Sequence, residues 1–330
     1  MTQCIASPHK EPLAAARFIK EIGRGKDGAR SMSSDDAQML YAAMLDGRVS
    51  DLELGAILLS MRIKGESVDE IAGFLRAAKE FVLPLHAPSG AQFAPVVIPS
   101  YNGARKKANL TPLLALLLAR RGVPVLVHGV LHDAGRVTTA EIFEVMQHPL
   151  SAHVVHAEQQ MQQGQVSFMA IDVLSPAMAR LLSMRRVLGV RNSTHTLVKL
   201  LQPFQHAALR LASYTHPEYF TMLQHYFSHH TQHESGDVFL MRGTEGETVA
   251  STGRAQQIDW FHAGESTTLV QTQASIIGAV ADTPDALDAA TTACWIESVL
   301  SGEIPVPKNI ADQVEHCVMV AKLVREREAA

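Results

Sequence analysis

Three adjacent cations, Arg105, Lys106 and Lys107, stand in the stretch PSYNGARKKANLTP, residues 99–112. Such a run can contact phosphate oxygens without reading sequence, and Tyr101 beside it can stack on a base. A solvated turn and a packed loop aromatic are the competing readings. Small polar residues flank the run: Ser100 before it, Asn109 and Thr111 after it. At a helix entrance such residues can hold one anionic group. A second basic segment, MARLLSMRRVLGVRNSTHTLVKLLQP, carries Arg180, Arg185, Arg186, Arg191 and Lys199. Read as a helix pair, it turns Leu181, Leu182, Val187 and Leu188 inward and its cations outward; ordinary surface charge is the alternative. HYFSHHTQH places His225, His229 and His233 four residues apart, with His230 beside them. No carboxylate or cysteine joins them in a firm ligand pattern, so solvated histidines are expected rather than a metal site. His128, at the end of VPVLVH, reads as a structural hydrogen-bonding group rather than a catalytic one.

The chain that must position these groups has 330 residues, 47% hydrophobic and 19% charged. That is the composition of a packed globule, not of a disordered chain. A net charge of −4 argues mildly against nucleic-acid binding, but local field decides more than the total. No apolar run is long enough to span a membrane, and no secretory leader is read at the N-terminus. Three scattered cysteines, Cys4, Cys294 and Cys317, suit a reducing cytoplasm better than a disulfide framework.

Residues 1–85 read as helices. Ser34 and Asp35 are placed to cap one ending near Gly47, and DLELGAILLSMRIKG has Leu54, Ile57, Leu58 and Met61 at helical spacing. Ser67 and Glu70 form a capping-box pair before the stripe Ile71, Phe74, Leu75 and Ala78. KGES, with Glu66 paired to Lys64 or capping, reads as a turn between helices. LPLHAPSG, residues 83–90, reads as a hinge. Residues 86–330 then change pattern. APVVI and VPVLVH are short β-branched runs that suit buried parallel strands. TPLLALLLARRG lies between them, with Thr111 as N-cap, Pro112 at the first helical position and Gly122 as stop. VSFMAI, AALRLAS and DVFLMRG are further strand candidates; DALDAATTACWIESVLSG and ADQVEHCVMVAKLVRERE are late helices. The expectation is a helical subdomain joined to a larger, mostly parallel α/β domain, with residues 176–202 returning to the helical part.

RIKGES at 62–67, the βαβ unit ending in the VHG of 127–129, and RRVLGVRN at 185–192 together resemble anthranilate phosphoribosyltransferase, a glycosyltransferase family 3 fold related to the pyrimidine nucleoside phosphorylases. KEIGRGK, DLELG, IPSYNGARKKANLTPLLA, GVRNSTHTL, THPEY and GTEGE are similar to the YbiB-type branch of that family. The likeness implies an anthranilate phosphoribosyltransferase-like fold. It also implies a homodimer built through the helical subdomain, and binding of DNA or RNA in place of transfer.

Against the enzymes of the family, three places differ. Their GTGGD donor loop reads here Pro99-Ser100-Tyr101-Asn102-Gly103, where proline has no N–H to donate and tyrosine fills space a glycine leaves open. Their magnesium-binding Asp-Glu pair reads here Thr248-Val249, with Glu245 and Glu247 in the preceding turn; magnesium needs such oxygen ligands. Their acceptor-pocket Gly-Pro reads here Val198-Lys199, while Arg185 matches the family's Arg. Ser100, Asn109, Thr111 and His128 then stand as a vestigial substrate site. The expected nucleic-acid contacts are Arg105, Lys106, Lys107, Tyr101, Arg185, Arg186, Arg191 and Lys199, along a basic groove with weak sequence preference and single strands slightly favoured. No cofactor, no metal and no catalytic residue is expected. An active transferase with an unidentified acceptor is the alternative, and a folded relic that binds only protein partners is a third reading.

Overall fold

The computed structural model describes residues 11–25, 27–230, 235–273 and 283–330. Four helices come first: α1 (Ala16–Ile22), α2 (Ser34–Leu45), α3 (Asp51–Lys64) and α4 (Val68–Lys79). Polar caps start three of them. Ser33, one residue earlier than the sequence suggests, accepts the Asp36 N–H at the head of α2. Ser50/Glu53 and Ser67/Glu70 form reciprocal capping boxes on α3 and α4, each satisfying free N–H groups of the first turn. The apolar stripes then pack: Leu54, Ile57, Leu58 and Met61 from α3, Ile71, Phe74 and Ala78 from α4, all buried. The KGES turn is pinned differently from the expected Lys64–Glu66 pairing. Lys64 Nζ lies 2.7 Å from Glu70 Oε2, and Glu70, wholly buried, also accepts the N–H of Met32 at 2.9 Å and of Ser67 at 2.8 Å.

Next come β1 (Val96–Ser100), α5 (Thr111–Arg120), β2 (Val125–Gly129), α6 (Thr139–Val145), α7 (Val154–Gln162), β3 (Ser167–Ala170) and the short α8 (Ile171–Leu174). α9 (Pro176–Ser183), α10 (Arg185–Leu188) and α11 (Thr194–Leu197) precede a 3₁₀ turn at Val198–Leu200. The chain closes with β4 (Ala208–Tyr214), α12 (Pro217–His229), β5 (Gly236–Arg242), β6 (Ile258–His262), β7 (Glu265–Val270), α13 (Ala289–Ser301) and α14 (Lys308–Ala329).

The chain divides into two units, one running to Phe81 and including Ala177–Leu197, the other holding Val82–Pro176 and Val198 onward. Within the first, Tyr41 Oη and Thr194 Oγ1 meet at 2.9 Å in a buried contact, and Arg180 donates to the Met44 carbonyl. Burial drives the Tyr41 hydroxyl pKa upward, so it stays a neutral hydrogen-bonding group. Leu181 is buried here, but Val187 is 80% exposed, which corrects its expected inward placement: α10 is a single turn and leaves that side chain outside.

The second unit is a seven-stranded sheet in the order β3-β2-β1-β4-β5-β6-β7. β1 to β5 run parallel; β6 and β7 form an antiparallel hairpin on the edge. Alternation sorts β1 between faces. Val96 and Ile98 join a core with Leu113, Phe143 and Ile296, while Val97 joins one with Leu126, Met169 and Phe204. The β6–β7 hairpin was not read from the sequence; its turn, Ala263-Gly264, has φ of +55° and +83°, the primed-turn geometry that such a connection favours. Residues 83–90 are no free hinge. Leu85 is buried, donates to the Pro203 carbonyl and accepts the Gln205 N–H, so the segment is laced into this unit.

Candidate nucleic-acid interface

β1 is the switch point of the sheet: the chain leaves it toward β2 and β3 on one side and later returns to β4 on the other. Open α/β sheets bind ligands outside the carboxyl ends of the strands at such a point. β1 and β2 stay in register to Ser100 and Gly129. Gly129 is obligatory there, since a Cβ would come within 1.9 Å of the Ser100 carbonyl oxygen. β1 and β4 pair only at Val96–Val97 and Leu209–Arg210. Pro99 and Ser100 belong to β1, so the loop starts at Tyr101, later than the sequence suggests, and the missing proline N–H falls outside it.

The loop is held from three directions. Ala104 exchanges both main-chain hydrogen bonds with Val137, and the Arg136 guanidinium donates to the Gly103 carbonyl at 3.1 Å. Asn109 Nδ2 donates to the Val137 carbonyl and to Thr139 Oγ1, its Oδ1 accepts the Thr111 N–H, and Ser100 Oγ lies 2.8 Å from Thr139 Oγ1. Leu110, not Thr111, takes the N-cap position, and the Asn109 side chain supplies the missing acceptor. The third hold comes from the turn after β5. Glu247 Oε1 accepts the N–H groups of Asn102 and Gly103, both at 2.8 Å, and its Oε2 lies 3.5 Å from Thr111 Oγ1. Glu245 accepts the N–H of Arg105 at 3.0 Å and of Lys106 at 2.8 Å. Sequence reasoning placed both glutamates only in a preceding turn and missed them as anchors. The available signal was the two-residue turn Glu245-Gly246, which sends the side chains on either side of Gly246 toward a neighbouring loop.

Ser100, Asn109, Thr111 and His128 are all buried, at 2% exposure or less. The anionic group expected at the start of α5 is therefore the chain's own Glu247. Tyr101 requires correction as a stacking platform. It is only 8% exposed, its hydroxyl lies 2.7 Å from His128 Nδ1 and its ring meets that imidazole edge-on at 5.4 Å. A side chain packed between two strand ends offers no face to a base. Burial, with the Asp172 charge adding to it, holds the Tyr101 hydroxyl well above its usual pKa, and burial lowers His128 to about 3. His128 is therefore neutral at physiological pH, and its Nε2 has no hydrogen-bond partner among the described residues.

Arg105, Lys106 and Lys107 are exposed, with Lys107 Nζ 3.3 Å from Ser251 Oγ. Lys199, half-buried, brings its Nζ to 3.4 Å from the Gly246 carbonyl, so it reaches the same turn that anchors the loop. Arg185 and Arg186 are exposed on α10 and Arg191 half-buried after it, all in the helical unit. Thr248 and Val249, the place matched to the enzymes' carboxylate pair, are buried. The His225 and His229 rings lie 4.4 Å apart between centroids, tilted by 38°, and His233 lies outside the described residues, as does Cys4. Among the described residues there is no group of three or more His, Cys, Asp or Glu able to hold a metal. Among them too, no helix is long and apolar enough to cross a membrane.

Residues 16–82 match the helical bundle domain of the glycosyl transferase family. The chain is 44% identical over 304 residues to the protein YbiB of Escherichia coli K12, covering 92% of this chain and 93% of that one. It is 32% identical over 161 residues to the anthranilate phosphoribosyltransferase of Desulfitobacterium hafniense Y51, spanning 47% of that enzyme. The crystal structure of anthranilate phosphoribosyltransferase from Thermus thermophilus superposes with a TM-score of 0.70 at 21% identity, covering 94% of this chain and 90% of that one. The fold is therefore that of anthranilate phosphoribosyltransferase, and the chain belongs to the YbiB-type paralogues of that family.

Proposed function

We propose that this protein binds nucleic acid, DNA or RNA, through its exposed cations and carries out no phosphoribosyl transfer. The observation behind this reading is the loop 101–109. Its backbone is anchored on all sides, yet Arg105, Lys106 and Lys107 keep exposed side chains at the carboxyl end of the central strand. An anchored backbone lowers the ordering cost of phosphate contact by these side chains, and such contact is independent of sequence. Lys199, at the same turn, adds a fourth positive charge, and Arg185, Arg186 and Arg191 supply the cations of the helical unit. With Tyr101 buried, the stacking contact expected to favour single strands is withdrawn. The protein works in the cytoplasm on this reading, its cysteines reduced.

The same reading includes a homodimer. Leu52, Leu59 and Ile63, exposed by 86%, 46% and 57%, line one face of α3, a stripe of the kind that a second copy covers. Two loops per dimer would raise avidity on a long strand. Leu52→Lys with Ile63→Lys is expected to yield a folded monomer in light scattering; an unchanged mass would place the interface elsewhere.

A second reading, transfer from a phosphoribosyl donor to an unidentified acceptor, draws on the likeness to the D. hafniense enzyme. A mobility-shift assay with single-stranded and duplex oligonucleotides at two salt concentrations, run beside an assay of magnesium-dependent pyrophosphate release, separates the two. Salt-sensitive shifts without release support binding; release with an acceptor supports transfer.

A further inference from the structure

We infer that Arg210, on the central strand β4, is the anchor of a buried binding site for a small carboxylate, which its guanidinium grips through the edge formed by Nε and Nη2.

AALRLAS puts one cation into a strand that is otherwise apolar up to Ala212. The register sets Arg210 between Val97 of β1 and Val238 of β5, both buried. Alternation gives it the face of Ala208, which belongs to the core of Val97 and Phe204. Arg210 is itself 6% exposed. α12 packs over it: the guanidinium carbon stands above the Phe227 ring, 5.9 Å from its centroid. Nη1 donates to the Leu200 carbonyl at 3.4 Å. Nε and Nη2 have no hydrogen-bond partner among the described residues.

An arginine keeps its charge in a protein, and a buried charge without a counter-ion is strongly destabilising. Asp237, on the next strand, does not serve as that counter-ion. Its two oxygens take the Arg327 guanidinium at 2.7 Å each, Oδ2 accepts the Trp260 indole N–H at 2.7 Å, and Oδ1 lies 3.0 Å from His262 Nδ1. It pairs in register with Leu209, so it belongs to the other face of the sheet. Burial accordingly lowers the Arg210 pKa, and the charges of Tyr226 and Asp237 offset this only in part. The Nε–H and one N–H of Nη2 run parallel and match the two oxygens of one carboxylate. A monoanion neutralises the single positive charge among these apolar side chains, whereas a dianion would leave a negative charge uncompensated there. Arg210 is the third residue of β4, in its amino half. The loop 101–109 leaves the carboxyl end of β1, so this site is separate from the cations proposed to bind nucleic acid.

The test is saturation-transfer NMR of sodium acetate with the full chain, beside thermal melting in rising acetate at constant ionic strength. The wild type should transfer saturation to the acetate methyl, lose that signal to competing formate, and melt at a temperature that rises with acetate to a plateau. Arg210→Met, which keeps the length of the side chain but not its charge, should show neither effect and should melt higher than the wild type in acetate-free buffer. Arg210→Lys keeps the charge without the fork and should bind acetate at least about tenfold more weakly. It also serves as the test should Arg210→Met not fold. A wild type indifferent to acetate would mean that water serves the guanidinium. Equal binding by wild type and variants would place acetate elsewhere, and sulfate competing as well as formate would remove the preference for a carboxylate. Each of these results would overturn the inference.

Discussion

Two glutamates do similar work in the two units with different partners. Glu70, in the helical unit, accepts two main-chain N–H groups and the ammonium of Lys64. Glu247, in the α/β unit, accepts two main-chain N–H groups and approaches a hydroxyl. Both are buried at 1% exposure or less. Around Glu70 the cation is drawn in, its side chain 8% exposed. Around Glu247 the acceptor is satisfied by neutral donors, and the neighbouring cations Arg105, Lys106 and Lys107 stay exposed. The helical unit thus draws its cation into the structure, whereas the strand-end loop is held through its main-chain donors and leaves the side chains of Arg105, Lys106 and Lys107 exposed.

The comparison predicts a graded set of effects. Glu70→Ala strands the buried Lys64 ammonium and should cost about 3–5 kcal/mol in denaturant unfolding. A loss under about 1 kcal/mol would mean the pair is not buried. Glu247→Ala leaves two main-chain donors unpaired and should cost about 2–4 kcal/mol, with Glu247→Gln milder because one acceptor oxygen remains. Indistinguishable Ala and Gln variants would deny the carboxylate its anchoring role. A more gradual effect, small for each pH unit, comes from pH. His128 is depressed to about 3 by burial, so the unfolded state binds the extra proton between that value and its ordinary ~6.5. Stability should therefore be fully present above about 6.5 and fall at lower pH, by at most about 1.4 kcal/mol per unit from this group. His128→Phe should flatten that slope; a slope unchanged in the variant would assign it to other groups. Least of all, replacing Arg105, Lys106 and Lys107 with alanine should change stability by no more than about 0.5 kcal/mol, since the main-chain hydrogen bonds of Arg105 and Lys106 remain.

The parts of this account legible in the sequence were those set by local pattern. The apolar stripes of α3 and α4, the Ser67/Glu70 capping box and the β-branched runs of β1 and β2 each carry their periodicity or cap within a few residues. The fold followed from their order and from motif resemblance. What stayed illegible depends on contacts across long stretches of chain. Tyr101 looks like an exposed loop aromatic until β2 brings His128 beneath it. Glu245 and Glu247 look like surface charge in a turn until β5 delivers them to a loop some 140 residues earlier. The β6–β7 edge hairpin escaped because its strands are short and its turn lacks Asn or Asp before the glycine. Val187 was misassigned because α10 is too short for its periodicity to fix a face.

The central claim is tested most directly by the salt dependence of oligonucleotide affinity for the wild type and the Arg105→Ala, Lys106→Ala, Lys107→Ala variant. The wild type should lose affinity steeply as salt rises, and the variant's log–log slope should be shallower by about one unit for each phosphate-contacting cation removed, alike across sequences. A slope identical in the two proteins, or no binding by the folded wild type at low salt, would contradict the account.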